Sequence, residues 1–281
     1  MKNNYPNTLS ILVFFVVISL FSSCRPDTAN DVVVGQAKEE FDMEDQKQIG
    51  DFVAQVIEDP ENGFEVLEKT KFHEMYHHLN TMIQQITNTA IVQRRDDFNW
   101  KVTILKDDNE LNAFILPGGH LYIYSGLLKF LHGEHELVGV MAHEVAYADS
   151  DALIEMLRVE FGSKKLSKIL SDDDAQSAAL DIANGMKGVN FTNEDVMQAD
   201  MFCADIVCEF VWDGQGLLSV LKRGGENVNR KTINWLEGKP ADDSRIQQLT
   251  SRINNHLNGC GMPDSTFNKR YFEKVLEHLP E

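Results

Sequence analysis

The run Val140–Ser150, VMAHEVAYADS, constrains this chain more than any other stretch. It reads as a helix carrying His143 and Glu144 in an otherwise apolar and small-residue face. In H-E-x-x-H, two imidazoles at i and i+4 share one helix face and hold one zinc, while the Glu serves the metal-bound water. Here the i+4 position is Tyr147. A literal H-E-x-x-H stands elsewhere, at His73-Glu74-Met75-Tyr76-His77. Around it Phe72, Met75, Tyr76, Leu79, Met82, Ile83 and Ile86 recur at helical steps, predicting a helix over 66–91 with a buried face. His73, Glu74, His77 and His78 fall mostly between those positions, as a solvated face does. That motif is therefore read as surface histidines open to adventitious metal at most.

The central helix is expected to begin near Glu134 and run to about Leu157. Three short segments before it alternate as strands: Trp100–Leu105, Leu111–Leu116 and His120–Tyr124, with turns at Asp107-Asp108-Asn109 and Pro117-Gly118-Gly119. Together they predict a small antiparallel sheet leading into the central helix. The rest is helical: 42–56 at the start, a short helix at 127–131, and a polar, small-residue excursion over 163–190 read as peripheral. Thr192 with Asp195 three residues on marks a helix start, and that helix runs through Ala199-Asp200 to about Trp212. Further helices are expected at 217–222, 244–254 and 268–278, with residues 227–240 as loop. The fold class is α+β, mainly helical.

The N-terminus is a different kind of segment. Ile11–Phe21 is an 11-residue apolar run after Lys2, too short to span a bilayer as a helix. Phe21-Ser22-Ser23-Cys24 follows and is similar to a bacterial lipobox, in which the cysteine becomes the lipidated N-terminus. We read 1–24 as a lipoprotein signal peptide, 25–40 as a tether and 41–281 as the folded domain. The net charge of −18 argues against nucleic acid and against docking on an anionic membrane by charge. The membrane is instead expected to be reached through the lipid on Cys24. Of the other cysteines, Cys203 and Cys208 point to different helix faces and do not suit each other. Cys260 either pairs with one of them or all three are thiols.

The order Asn112-Ala113-Phe114, Pro117-Gly118-Gly119, Ser125-Gly126-Leu127, then Ala142-His143-Glu144 on an apolar helix, resembles the gluzincin metallopeptidases of the HtpX and CAAX prenyl protease type. That is family forty-eight of the metallopeptidases, with the lipoprotein branch of Gram-negative envelopes most similar. The later Ala199-Asp200 helix and Pro240 with Arg245 agree in order and spacing. The resemblance implies zinc-dependent cleavage of peptide bonds and a substrate lying extended along the sheet edge at Asn112, Ala113, Phe114, Pro117, Gly118 and Gly119. A strand edge offers free N–H and C=O groups to such a peptide. It also implies roles for single residues. His143 takes the first ligand slot, Glu144 the general-base slot and Asp200 the position behind a ligand. Tyr147 takes the second ligand slot, Val196 the third, and Lys239 stands where the family has a histidine; Arg245 is kept.

Two of three protein ligands are thus replaced. Tyr147 could ligate only as phenolate, against an ordinary pKa of about 10, and Val196 has no donor atom. Without zinc, water keeps a pKa near 15.7 rather than about 7, leaving Glu144 too weak a base. Glu194 and Asp195 point away from Val196's side of their helix; His120, His132 and His135 are the candidates for rerouted ligation. The expectation is an envelope-anchored, periplasm-facing or outer-surface member that has lost its zinc and binds a peptide or protein client without cleaving it. No cofactor is expected. The alternative is an active zinc endopeptidase with rerouted ligands.

Overall fold

Asp42 and Asp45 open the first helix, α1 (Met43–Glu58), by a reciprocal capping box: each carboxylate accepts the other's backbone N–H, at 2.9 and 3.2 Å. The computed structural model describes residues 41–171, 174–210, 212–225, 235, 243–256, 260 and 265–280. The segments read as export signal and tether, with Cys24, and also Lys239 and Pro240, lie outside the described residues. The second helix, α2 (His73–Thr87), is shorter than its periodicity suggests. Val66 forms a bridge with Leu105, and the Leu67 N–H donates to the Ile104 carbonyl at 2.9 Å. Tyr76 fastens this arrangement, donating to the Leu67 carbonyl at 2.7 Å and accepting from the Ile104 N–H at 3.1 Å. The residues before α2 are therefore recruited to the sheet, although their apolar spacing also fits a helix.

The sheet holds β1 (Lys101–Leu105), β2 (Ala113–Leu116) and β3 (His120–Tyr124) in the order β1-β3-β2. The β2–β3 hairpin is antiparallel, but β1 runs parallel to β3, so the sheet is mixed rather than antiparallel throughout. The chain leaves β1 and crosses to the far side of β3 before β2 begins. Alternation in strands this short records faces and not strand order or direction. In the turn between β2 and β3, Gly118 and Gly119 take φ of +84° and +90°, which glycine adopts without penalty. α1 packs directly on that turn: a Cβ on Gly50 would stand 1.7 Å from the Pro117 carbonyl oxygen.

A short helix, α3 (Ser125–Phe130), leads to the central α4 (Glu134–Ala148), whose residues are all buried. A helix buried on every side needs partners all round, and α2, α8, α9 and β2 supply them. The expected continuation to Leu157 is interrupted. α4 ends at Ala148, and α5 (Ala152–Phe161) starts after Asp149-Ser150-Asp151. Arg94 explains the break, donating from Nη1 to the carbonyls of Ala148 at 3.0 Å and Ser150 at 2.7 Å. The Asp149 carboxylate in turn accepts the N–H groups of Gln93 and Arg94 at 3.0 and 2.7 Å.

The stretch read as peripheral forms α6 (Ser163–Leu170) and α7 (Ala175–Gly185), and both pack on α1. Leu166, Ile169, Ala178, Ala179, Ile182 and Ala183 are part of the core. Small alanines permit close helix approach, which is why low hydrophobic bulk misled the sequence reading. The chain continues with α8 (Asn193–Cys208), α9 (Gly216–Gly225), α10 (Asp243–Asn254) and α11 (Ser265–Lys274). The Thr192–Asp195 capping box opens α8 as expected. No described helix is long and apolar enough to cross a membrane.

Candidate functional site

Three helices bring the central residues together. α4 carries His143, Glu144 and Tyr147; α8 carries Val196 and Asp200; α10 carries Arg245. His143 is fully buried, and its Nδ1 lies 3.0 Å from Asp200 Oδ1. Arg245 clamps the same carboxylate, donating from Nε at 2.6 Å to one oxygen and from Nη2 at 2.9 Å to the other. Burial pushes the Asp200 pKa up, but Arg245 and His143 overrule it and hold the carboxyl below the usual aspartate value. Asp200 is thus a carboxylate that accepts the Nδ1 proton, which leaves Nε2 as the acceptor nitrogen.

That nitrogen meets Tyr147, whose hydroxyl lies 3.0 Å from it. Burial, and after it the charge of Glu144, push the Tyr147 pKa well above the ordinary phenol value despite Arg245. The hydroxyl therefore stays protonated and donates to Nε2. The ring is fixed by stacking on Phe191, with centroids 3.6 Å apart and planes 9° from parallel. Val196, one turn before Asp200 on α8, is buried. A zinc ion would sit about 2.0–2.1 Å from the imidazole nitrogen, in space the Tyr147 hydroxyl takes. The side chains at the positions that the resemblance assigns to zinc ligands do not suit the ion: the His143 imidazole faces a neutral phenol, and Val196 has no donor atom.

Glu144 is also engaged. The Trp235 indole N–H donates to its Oε1 at 2.7 Å, and the indole packs edge-on to His143 with centroids 5.2 Å apart. The Trp235 backbone N–H donates to the Leu111 carbonyl at 3.0 Å, just ahead of β2. A cavity of ≈ 20 Å³ remains beside Glu144, walled by Asn112–Ile115, by Met186, Lys187, Val189 and Phe191, and by Trp235. Such a space holds about one water. Sequence reasoning missed Trp235, which lies in a stretch read as loop. The signal available was a lone tryptophan in polar surroundings, whose large apolar ring needs a buried seat. Phe191, the residue before the Thr192 helix start, carried no separate signal in the sequence.

The remaining candidates are distributed as follows. Asn112, Ala113 and Phe114 line the cavity, and Asn112 Nδ2 donates to the Lys187 carbonyl at 3.1 Å. Pro117, Gly118 and Gly119 lie at the α1 end of the hairpin instead. The histidines considered for rerouted ligation are committed elsewhere. His120 Nε2 is 2.6 Å from Asp51, His135 Nδ1 accepts the Asp213 N–H at 2.8 Å, and His132 faces Arg223. The H-E-x-x-H on α2 exposes His73 and His77, while its Glu74 pairs with Lys274 at 3.2 Å. Among the described residues neither His143 nor His73 belongs to a group of three metal-ligating side chains.

Comparison with known proteins places these features in context. The family model described as peptidase family M48 matches residues 76–253. The chain is 33% identical over 73 residues to the mitochondrial metalloendopeptidase OMA1 of Schizosaccharomyces pombe, covering 26% of this chain and 21% of that protein. It is 23% identical over 164 residues to the beta-barrel assembly-enhancing protease of Escherichia coli K12, covering 53% and 34%. A putative beta-barrel assembly-enhancing protease of Vibrio cholerae is 26% identical over 138 residues, covering 44% and 28%. The chain thus spans about a third or less of the length of these relatives.

Proposed function

The chain belongs to peptidase family M48, and from that premise we propose that it is a homologue of metalloendopeptidases that binds protein segments without cleaving them. The observation that carries the reading is the double occupancy of the catalytic helix. The Tyr147 hydroxyl caps the nitrogen of His143 that would face a metal, and the Trp235 indole holds Glu144. With Val196 in the third position, no described residue of the site lowers the pKa of a water enough for Glu144 to act on it.

The binding reading rests on β2. It is an edge strand of the sheet, its start borders the cavity beside Glu144, and Trp235 already uses one of its neighbouring carbonyls as a strand partner would. An extended client segment would add to this edge by main-chain hydrogen bonds, displacing Trp235 and the 186–191 segment that now close the groove. Anchorage to a bacterial cell envelope, on the periplasmic face or the outer surface, is part of the same proposal. It is supported by the apolar run ending in Phe21-Ser22-Ser23-Cys24.

The test is metal content and proteolysis of the purified chain, with a photocrosslinker at Ile115 reporting binding. We expect no zinc held at His143, no cleavage, and crosslinks to unfolded or extended polypeptide that an added peptide competes away. Tightly held zinc lost on His143→Ala, with cleavage abolished by Glu144→Gln, overturns the proposal in favour of an active peptidase. Absence of any competed crosslink removes its binding half.

A further inference from the structure

A second cluster of ligating side chains lies away from the catalytic helix. Cys208 at the end of α8 and Cys260 are joined as a disulfide across 52 residues, with Cα atoms 4.2 Å apart. His256, just past the end of α10, completes the group: one ligand atom from each of the three lies within 4.8 Å of the others. Gly214 forms one wall, since a Cβ there would stand 3.1 Å from Cys260 Sγ and 3.3 Å from Cys208 Sγ. The second observation is independent of the first. His256 Nδ1 is buried without a hydrogen-bond partner among the described residues. A buried imidazole nitrogen left unpaired is costly and calls for an explanation such as an ion.

We propose that Cys208, Cys260 and His256 form a redox-gated site for a thiophilic divalent cation, with Zn²⁺ as its ligand when the disulfide is reduced. Two thiolates and one imidazole are a donor set zinc accepts, with water completing the tetrahedron. Zn–S and Zn–N bonds of about 2.3 and 2.0 Å set tetrahedral ligands about 3.5–3.8 Å apart, so these three groups need only small shifts. The sequence of events balances. A dithiol reductant supplies two electrons and two protons, the Cys208–Cys260 S–S bond breaks to two thiols, and the reductant ends as its own disulfide. Zinc then displaces the two thiol protons to solvent and takes the neutral His256 nitrogen as third ligand; the metal itself is not reduced or oxidised. Either cross-link ties the C-terminal end of α8, which carries Asp200, to residues that follow α10, which carries Arg245.

The test uses the tag-free full chain, reduced with dithiothreitol and desalted without air, beside the oxidised chain. Each is dialysed with zinc and then against buffer, and bound metal is measured. Cobalt in place of zinc reports thiolate ligation by its charge-transfer absorbance. We expect about one zinc per reduced chain, none at this site in the oxidised chain, and a thiolate–cobalt band only after reduction. His256→Ala should weaken zinc by at least about 100-fold, since losing a residue that merely supports a ligand already costs up to that much, and Cys208→Ser should abolish the cobalt band. Metal uptake that is equal in both redox states belongs to surface histidines such as His73 and His77 and overturns the proposal. Zinc affinity unchanged by His256→Ala, or a reduced chain that stays unfolded by circular dichroism with zinc present, also overturns it.

Discussion

Replacing Asp200 with Asn removes one charge from a buried pair while nearly keeping its shape. Arg245, 3% exposed, holds both oxygens of Asp200, and His143 Nδ1 lies 3.0 Å from one of them. Breaking a buried pair from one side costs about 3–5 kcal/mol, because the surviving charge stays desolvated. Each kcal/mol lowers Tm by about 2–4 °C in a domain of this size, so the melting point should fall by roughly 6–20 °C. Removing both charges is a different perturbation. Asp200→Asn with Arg245→Met leaves no uncompensated ion and should lose far less than the sum of the single changes. Urea and thermal denaturation followed by circular dichroism at neutral pH give the four corners of the cycle. A single-variant loss under about 1 kcal/mol, or additivity within about 0.5 kcal/mol, refutes the reasoning. The same melts with a chelator should superimpose, because Arg245 holds the carboxylate beside His143.

Glu134 should make stability depend on pH. Burial raises its pKa, but His78, Arg270 and Trp212 more than offset this and bring it from 4.5 down to about 2. That gap corresponds to about 3 kcal/mol, trimmed to about 2 because Arg270 is half exposed and screened. With the folded value depressed, the contribution is complete above about pH 4.5 and fades as pH falls toward 2; Glu134→Gln should melt lower at neutral pH and converge with the parent at low pH, and a gap unchanged down to pH 3 would contradict this. In the oxidised chain, Tyr147→His with Val196→Glu should add about one zinc per chain over the parent by metal analysis, and failure in a folded double variant shows that Trp235 and Phe191 still fill the site. Gly50→Ala should cost about 3 kcal/mol or more, since its Cβ meets backbone that cannot move aside. A near-parental Tm would show that α1 and the Pro117 turn are not in firm contact.

His143, Glu144, Asp200 and Arg245 were legible because their spacing is local to single helices, and the resemblance fixed which helices meet. At Tyr147 and Val196 the sequence showed only that the residues expected from the resemblance are absent. The contacts that these side chains and their neighbours make were not legible. Trp235 reaches Glu144 across 91 residues from a segment with no periodicity. The Tyr147–Phe191 stack joins two elements whose contact no pattern announces. The end of α4 was missed because its cap is remote: the Arg94 guanidinium donates to the Ala148 and Ser150 carbonyls, and the Asp149 carboxylate accepts the Arg94 N–H. The burial of α6 and α7 was missed because alanine faces carry little hydrophobic signal. The Cys208–Cys260 bond was an open alternative, since cysteine spacing along a chain does not fix which pairs meet in space.

The backbone contact between Gly50 and Pro117 gives α1 a mechanical part. With no side chain between them, nothing compressible separates the helix from the turn that closes the β2–β3 hairpin. α1 begins at Met43, immediately after the segment read as a tether. The turn cannot move toward that helix without the helix moving with it, so the position of α1 sets a limit on where the β2–β3 hairpin can lie.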